Sequence, residues 1–143
     1  KLGGEENGGV FYGPHQPVRD GAMTTALILD ILAKTGRKLS ELLNELPTYF
    51  IEKDKVECPD NLKEKVLKML YEELEKENLK FDTIDGAKIW FEDSSILVRP
   101  SGTEPIFRLY AEAKNRDRTL ELIRKYKEKL RKIITKMIQE AGN

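Results

Sequence analysis

Apolar positions along this chain fall into two textures that meet near residues 46–49. Residues 1–18 are rich in glycine and proline and hold no sustained period, which predicts loop. Ala22, Ala26, Leu27, Leu29, Ile31 and Leu32 then predict a helix that is apolar on more than one side. Asp20 suits its N-cap and Gly36 its end. Such a helix is normally packed within a larger α/β layer. "KLSELLNELP" predicts a short second helix, with Ser40 as cap and Pro47 as stop.

From Thr48 the pattern changes. "TYFIEKDKVEC" is strand-like, with Tyr49, Ile51 and Val56 as anchors. Asp60 suits the cap of a helix whose Leu62, Val66, Leu70 and Leu74 form one stripe. Asp85-Gly86 lies between β-prone runs and signals a two-residue hairpin. "SSILVRP" and "IFRLYAEA" follow as strands. In the second, Phe107, Leu109, Ala111 and Ala113 share one face, and Arg108, Tyr110 and Glu112 the other. A long helix over about 116–141 closes the chain, with Leu120, Ile123, Leu130, Ile134 and Ile138 as its stripe. Asn115 and Asp117 give it a cap and a negative first turn.

The order from Thr48 is therefore β-α-β-β-β-α. It predicts an α+β domain over 47–143: a small antiparallel four-stranded sheet with two helices on one face. Residues 1–46 read as the tail of an α/β domain.

Composition narrows the chemistry. Lys+Arg and Asp+Glu both number 25, so formal net charge is zero and no overall basic bias points to nucleic acid. One cysteine, Cys58, and one histidine, His15, leave no intrachain disulfide and argue against a Cys/His zinc site. Reducing, cytoplasmic surroundings follow as the expectation. No run of 18 apolar residues predicts a membrane span. The chain begins in a loop-like stretch without Met or a signal-peptide core, and so reads as a piece of a longer protein. Its Lys/Glu richness, with only two glutamines, fits a thermophile. Cys58 is expected to be buried, and Trp90 and Phe91 to pack in the core. His15 is either a surface residue or a substrate contact, and Arg19 and Asp20 can help shape a cleft.

The turn over residues 99–105, "RPSGTEP", carries the densest chemistry. Arg99 offers a planar two-pronged donor. Ser101 and Thr103 add hydroxyls, and Gly102 lets backbone N–H groups approach an anion closely. Pro100 and Pro105 restrict the free loop, so less binding energy goes into ordering it. Glu104 would repel a phosphate, so it is expected to turn away, toward Arg108. The same residues also make an ordinary rigid hairpin loop, and the residues alone leave both readings open.

"RPSGTEPIFRLYAEA" resembles the C-terminal phosphate-binding loop of the α-D-phosphohexomutases, the family of phosphoglucomutases, phosphomannomutases and phosphoglucosamine mutases. Their motif is close to R-P-S-G-T-E-P-x-x-R, and every fixed position is present, Arg108 included. "GGEENGG" resembles the family's sugar-binding loop, G-E-x-S-G-H: Gly4, Glu5 and Gly8 agree, Asn7 stands for serine and Gly9 for histidine. "RDGAMTTALILDIL" resembles the helix that follows that loop.

The resemblance implies an isomerase that moves phosphate between C1 and C6 of a hexose through a phosphoserine enzyme and a bisphosphate intermediate. It implies that Arg99, Ser101, Gly102, Thr103 and Arg108 grip the non-transferring phosphate while Glu5 and Asn7 read sugar hydroxyls. The phosphoserine and the Mg²⁺ ligands belong to earlier domains, so no catalytic or metal-binding residue is expected here. Partners are then the hexose phosphate, the bisphosphate and the preceding domains. Such a piece is expected to be inactive alone. The alternatives are a stand-alone phospho-ligand binding module and a structural domain with an incidental turn.

Overall fold

The computed structural model describes residues 1–4 and 8–141. The chain divides into two compact units, Lys1–Pro47 and Thr48–Asn143.

In the first unit, β1 (Leu2–Gly4) pairs antiparallel with β2 (Val10–Tyr12), Leu2 opposite Tyr12. The sequence predicts loop here, because three-residue strands are too short to display a period. The Phe11 ring lies across Gly3, where a Cβ would come within 2.1 Å of Cζ. α1 (Gly21–Thr35) starts as expected, with Asp20 Oδ1 accepting from the Met23 N–H at 2.9 Å. It ends on left-handed Gly36, whose N–H donates to the Leu32 carbonyl. α2 (Leu39–Leu43) starts after Lys38, so Ser40 lies inside the helix and is not its cap. Glu41 sets that start by accepting from the Lys38 N–H at 3.0 Å, as in one half of a capping box. None of the described residues of this unit is buried. Ile28, Leu29 and Ile31 stand exposed on α1.

The second unit runs β3 (Phe50–Glu57), a 3-10 turn (Asp60–Leu62), α3 (Lys63–Lys76), β4 (Lys80–Asp82), β5 (Ala87–Trp90), β6 (Ser94–Pro100), β7 (Ile106–Ala113) and α4 (Arg116–Ala141). Its strands form one antiparallel sheet in the order β3-β7-β6-β5-β4. The α+β class stands, with five strands where the order predicts four. The run around Asp85-Gly86 supplies two of them, joined by residues 83–86 and not by a two-residue turn. Gly86 adopts φ 88°, and a Cβ there would sit 2.4 Å from the Val98 carbonyl oxygen. Asp60 does not cap α3. It opens the 3-10 turn, and its carboxylate takes the Lys63 ammonium.

Both helices cover one face of the sheet, α4 against β3, β6 and β7, and α3 against α4, β5 and β6. Leu62, Val66, Leu70 and Leu74 are buried as their spacing predicts. On α4 the buried apolar set is Leu122, Ile123, Tyr126, Leu130, Ile133, Ile134 and Met137, with Thr119 buried beside it. Leu120 is half-buried and Ile138 is 50% exposed, because a 3.6-residue period drifts away from strict four-residue steps. Each fully buried Leu or Ile contributes about 1.5–3 kcal/mol relative to exposure.

The opposite face carries Lys53 and Lys55 from β3, Arg108 and Tyr110 from β7, Leu97 and Arg99 from β6, and Lys88 and Trp90 from β5. Trp90 is therefore a face residue, not a core residue: its Nε1 donates to Asp82 at 3.3 Å, and Lys88 lies over its ring. Phe91 does pack against the core, beneath the Arg118 guanidinium. Cys58 is buried, and that burial pushes its thiol pKa up.

Candidate functional site

The antiparallel register of β6 and β7 sets Arg99 directly opposite Arg108 on the face without helices. Like charges placed so destabilise a sheet unless they are compensated. Each arginine has a carboxylate. Arg99 Nη1 donates to Asp85 Oδ2 at 2.6 Å, and Arg108 Nη2 donates to Glu104. Glu104 thus turns toward Arg108 as expected. Hydrogen bonding with Tyr110, then with Glu104, raises the Arg108 pKa above its already high value. The Nε atoms of both arginines are buried and find no partner among the described residues. A buried N–H left unpaired is costly, and two such groups on facing guanidinia suit an incoming anion. Beside Arg108 lies a groove of about 450 Å³, lined in part by Lys53, Lys55, Glu104 and Tyr110.

The connection between the two strands is a closed turn. The Ser101 N–H donates to the Ile106 carbonyl at 2.9 Å, and the Ile106 N–H to the Glu104 carbonyl at 2.8 Å. Ser101 is buried, and its Oγ accepts from the N–H groups of Thr103 at 3.5 Å and Glu104 at 3.3 Å. That hydroxyl oxygen shapes the turn, while its proton can still be donated outward. Gly102 and Thr103 are exposed, and nothing lies within 4 Å of the place a Gly102 Cβ would occupy. The turn therefore presents Gly102 and Thr103 to solvent, with Arg99 and Arg108 at its two feet.

What holds the turn from behind is a residue the motif reading missed. Lys63, at the start of α3, sends its ammonium to the Ser101 carbonyl at 2.6 Å and to the Glu104 carbonyl at 2.5 Å. Its side chain is only 11% exposed, and Asp60 supplies its carboxylate at 2.5 Å. The Cys58 N–H donates to the Pro105 carbonyl at 2.8 Å. Cys58, just after β3, and Lys63, the first residue of α3, thus grip the turn at three carbonyls. One signal was available: Lys63 stands on the apolar stripe, three residues before Val66, where a lysine is out of place unless it is paired. Asp85 was read only as turn chemistry, although its carboxylate fixes Arg99.

The structure brings Arg99, Ser101, Gly102, Thr103 and Arg108 together on one strand connection. Glu5 and Asn7, the expected sugar readers, lie outside the described residues. In the first unit His15 Nε2 lies 3.2 Å from Asp20 Oδ2, and Gln16 Nε2 donates to the same oxygen at 2.9 Å. The Met23 N–H, with smaller help from His15, holds the Asp20 carboxyl below its usual pKa. Among the described residues, no three His, Cys, Asp or Glu side chains come together to hold a metal ion. None of their helices is long and apolar enough to cross a membrane.

The family model for the C-terminal domain of phosphoglucomutase/phosphomannomutase matches residues 55–129, and that for their alpha/beta/alpha domain III matches residues 1–50. A phosphoglucomutase/phosphomannomutase of Thermococcus kodakarensis is 49% identical over 122 residues, which is 85% of this chain and 26% of that protein. A phosphoglucosamine/phosphogalactosamine mutase of Sulfurisphaera tokodaii is 45% identical over 127 residues, 88% of this chain and 28% of that protein. The crystal structure of a phosphoglucomutase/phosphomannomutase family protein from Burkholderia thailandensis superposes with a TM-score of 0.71 at 27% identity, covering 92% of this chain and 28% of that one. The chain thus spans about a quarter of the length of these relatives.

Proposed function

This chain belongs to the phosphoglucomutase/phosphomannomutase family, and from that premise we propose that it is the substrate-holding C-terminal portion of a phosphohexomutase. The enzyme interconverts hexose 1-phosphate and hexose 6-phosphate through a phosphoserine and a bisphosphate that turns around between two transfers. This portion grips the phosphate that is not being transferred. The observation that carries the reading is the facing pair Arg99 and Arg108, each with a buried Nε–H that lacks a partner, at the feet of an exposed Gly102-Thr103 turn.

A phosphate dianion seated there accepts from both guanidinia, from the Thr103 hydroxyl and from the turn's backbone. Such contacts read phosphate oxygens only, so they serve equally when the phosphate sits on C1 or on C6. They also serve glucose, mannose and glucosamine phosphates alike. Glu5 and Asn7 accept from and donate to sugar hydroxyls that remain comparable after the flip. The contribution of this chain is positioning and electrostatics, and the attacking and leaving oxygens belong to other domains. The described residues do not fit a magnesium site, and the reading places the magnesium ligands and the phosphoserine in those other domains.

The test is Arg99→Ala in the complete enzyme. A charge-assisted hydrogen bond contributes about 1.5–3 kcal/mol, so kcat/KM for a hexose phosphate should fall roughly tenfold or more. Unchanged kcat and KM would overturn the phosphate grip. Glu5→Gln should weaken sugar phosphate binding and leave inorganic phosphate binding intact. Equal loss of both would remove Glu5 from the role of sugar reader.

A further inference from the structure

We propose that Lys63 is a positioning residue for the phosphate turn, and that its ammonium also lends the turn positive charge from the buried side. The proposal rests on the phosphate-grip reading of the turn and adds a residue that no motif contains.

A tight turn that offers N–H groups to an anion must dispose of its carbonyl oxygens, which repel anions. Here the Ser101 and Glu104 carbonyls meet at one point, Lys63 Nζ, at 2.6 Å and 2.5 Å. Each would otherwise be free to swing outward when the turn flexes, because Gly102 between them has open space around it. Both bonds are charge-assisted and poorly hydrated, since the lysine side chain is 11% exposed.

The second part is charge. A lysine so enclosed needs a partner, and Asp60 supplies it at 2.5 Å. The Asp60 side chain is 74% exposed, so water screens the carboxylate more than the ammonium it faces. A net positive field therefore remains behind residues 101–104. The turn's other foot is fixed independently, by the Cys58 N–H on the Pro105 carbonyl. Losing Lys63 thus loosens one side of the turn and does not detach it.

A brace with no electrostatic part and a brace that also lends charge differ in how they respond to removal of Asp60. Without that carboxylate, the two carbonyl bonds persist and the uncompensated ammonium attracts an anion more strongly. The experiment titrates this chain with inorganic phosphate, following the amides of Gly102 and Thr103 by NMR. The variants are Lys63→Met, Asp60→Asn and Arg99→Ala, each with its thermal midpoint measured.

Lys63→Met is expected to weaken phosphate binding about tenfold, by loss of charge-assisted bonds. Asp60→Asn is expected to tighten it about two- to threefold, by removal of an exposed like charge. An unchanged or weaker affinity in Asp60→Asn overturns the electrostatic part. Unchanged affinity in folded Lys63→Met overturns the positioning role. If Lys63→Met does not fold, Asp60→Asn alone decides, because its exposed carboxylate is removable without opening a cavity. Arg99→Ala separates the phosphate grip from its support by Lys63. Loss of binding there with no effect at residues 60 and 63 removes Lys63 and leaves the phosphate grip standing. Full binding in Arg99→Ala removes the grip itself, and the Lys63 proposal with it.

Discussion

At the scale of single residues, unpaired polar atoms occur in two different settings. Arg99 Nε, Arg108 Nε and Tyr126 Oη are all buried without a partner among the described residues. The two arginines flank an open turn, and their side chains are 39% and 38% exposed. Tyr126 sits in the core between the helices and the sheet, where nothing can reach it. Its hydroxyl is therefore a plain cost, and Tyr126→Phe should stabilise the protein by about 1 kcal/mol and raise its Tm. Burial also pushes the phenol up to about 12. In the unfolded chain the same phenol titrates near 10. Between those values the unfolded state has lost a proton that the folded state keeps, so stability is intact below pH 10 and is lost as pH rises through 12. Thermal melts from pH 9 to 12 should show a steep alkaline decline in the parent and a shallower one in Tyr126→Phe. A destabilised phenylalanine variant with an unchanged alkaline limb would mean the hydroxyl has a partner after all.

At the scale of elements, the contrast between Leu130 and Ile138 tests how α4 is really seated. Both belong to the stripe expected from the sequence, yet Leu130 is fully buried and Ile138 is half out. Leu130→Ala should cost about 2–5 kcal/mol and Ile138→Ala less than about 0.5 kcal/mol, read from urea midpoints at constant m-value. Comparable losses at both positions would mean the helix is rotated from the seating described. The same contrast explains what the sequence could disclose. Chemical type showed which segments are helices and strands, because Val66, Leu70 and Leu74 on α3 and Phe107, Leu109 and Ala111 on β7 repeat at the element's own period. It could not show phase drift along 26 residues of α4, nor three-residue strands such as β1 and β2. The motif named Arg99, Ser101, Gly102, Thr103 and Arg108, because all lie within ten residues of one another. It was silent on Lys63 and Asp85, since only tertiary folding carries them to the turn, and in sequence Lys63 is 38 residues from Ser101.

At the scale of the whole molecule, the two units differ in what can hold them. Every buried hydrophobic residue among those described lies in Thr48–Asn143, most of them on α3, α4 and the strands β3, β5, β6 and β7. The unit Lys1–Pro47 has no buried residue among those described, and its α1 leaves Leu29 60% exposed. An isolated helix of 15 residues is marginal in water, because nucleation is costly and no packed face repays it. Conformational entropy therefore dominates in that unit, while burial dominates in the other. Amide exchange in this chain should follow the same division. The core amides of α4 and β7 should exchange only through global unfolding, and those of α1 should exchange orders of magnitude faster. A shortened chain beginning at Thr48 should keep the melting transition and bind inorganic phosphate as the full chain does, since every element that shapes residues 99–108 lies beyond Pro47. If removing residues 1–47 collapses the melt or abolishes phosphate binding, the 99–105 turn depends on the first unit and the second unit is not autonomous.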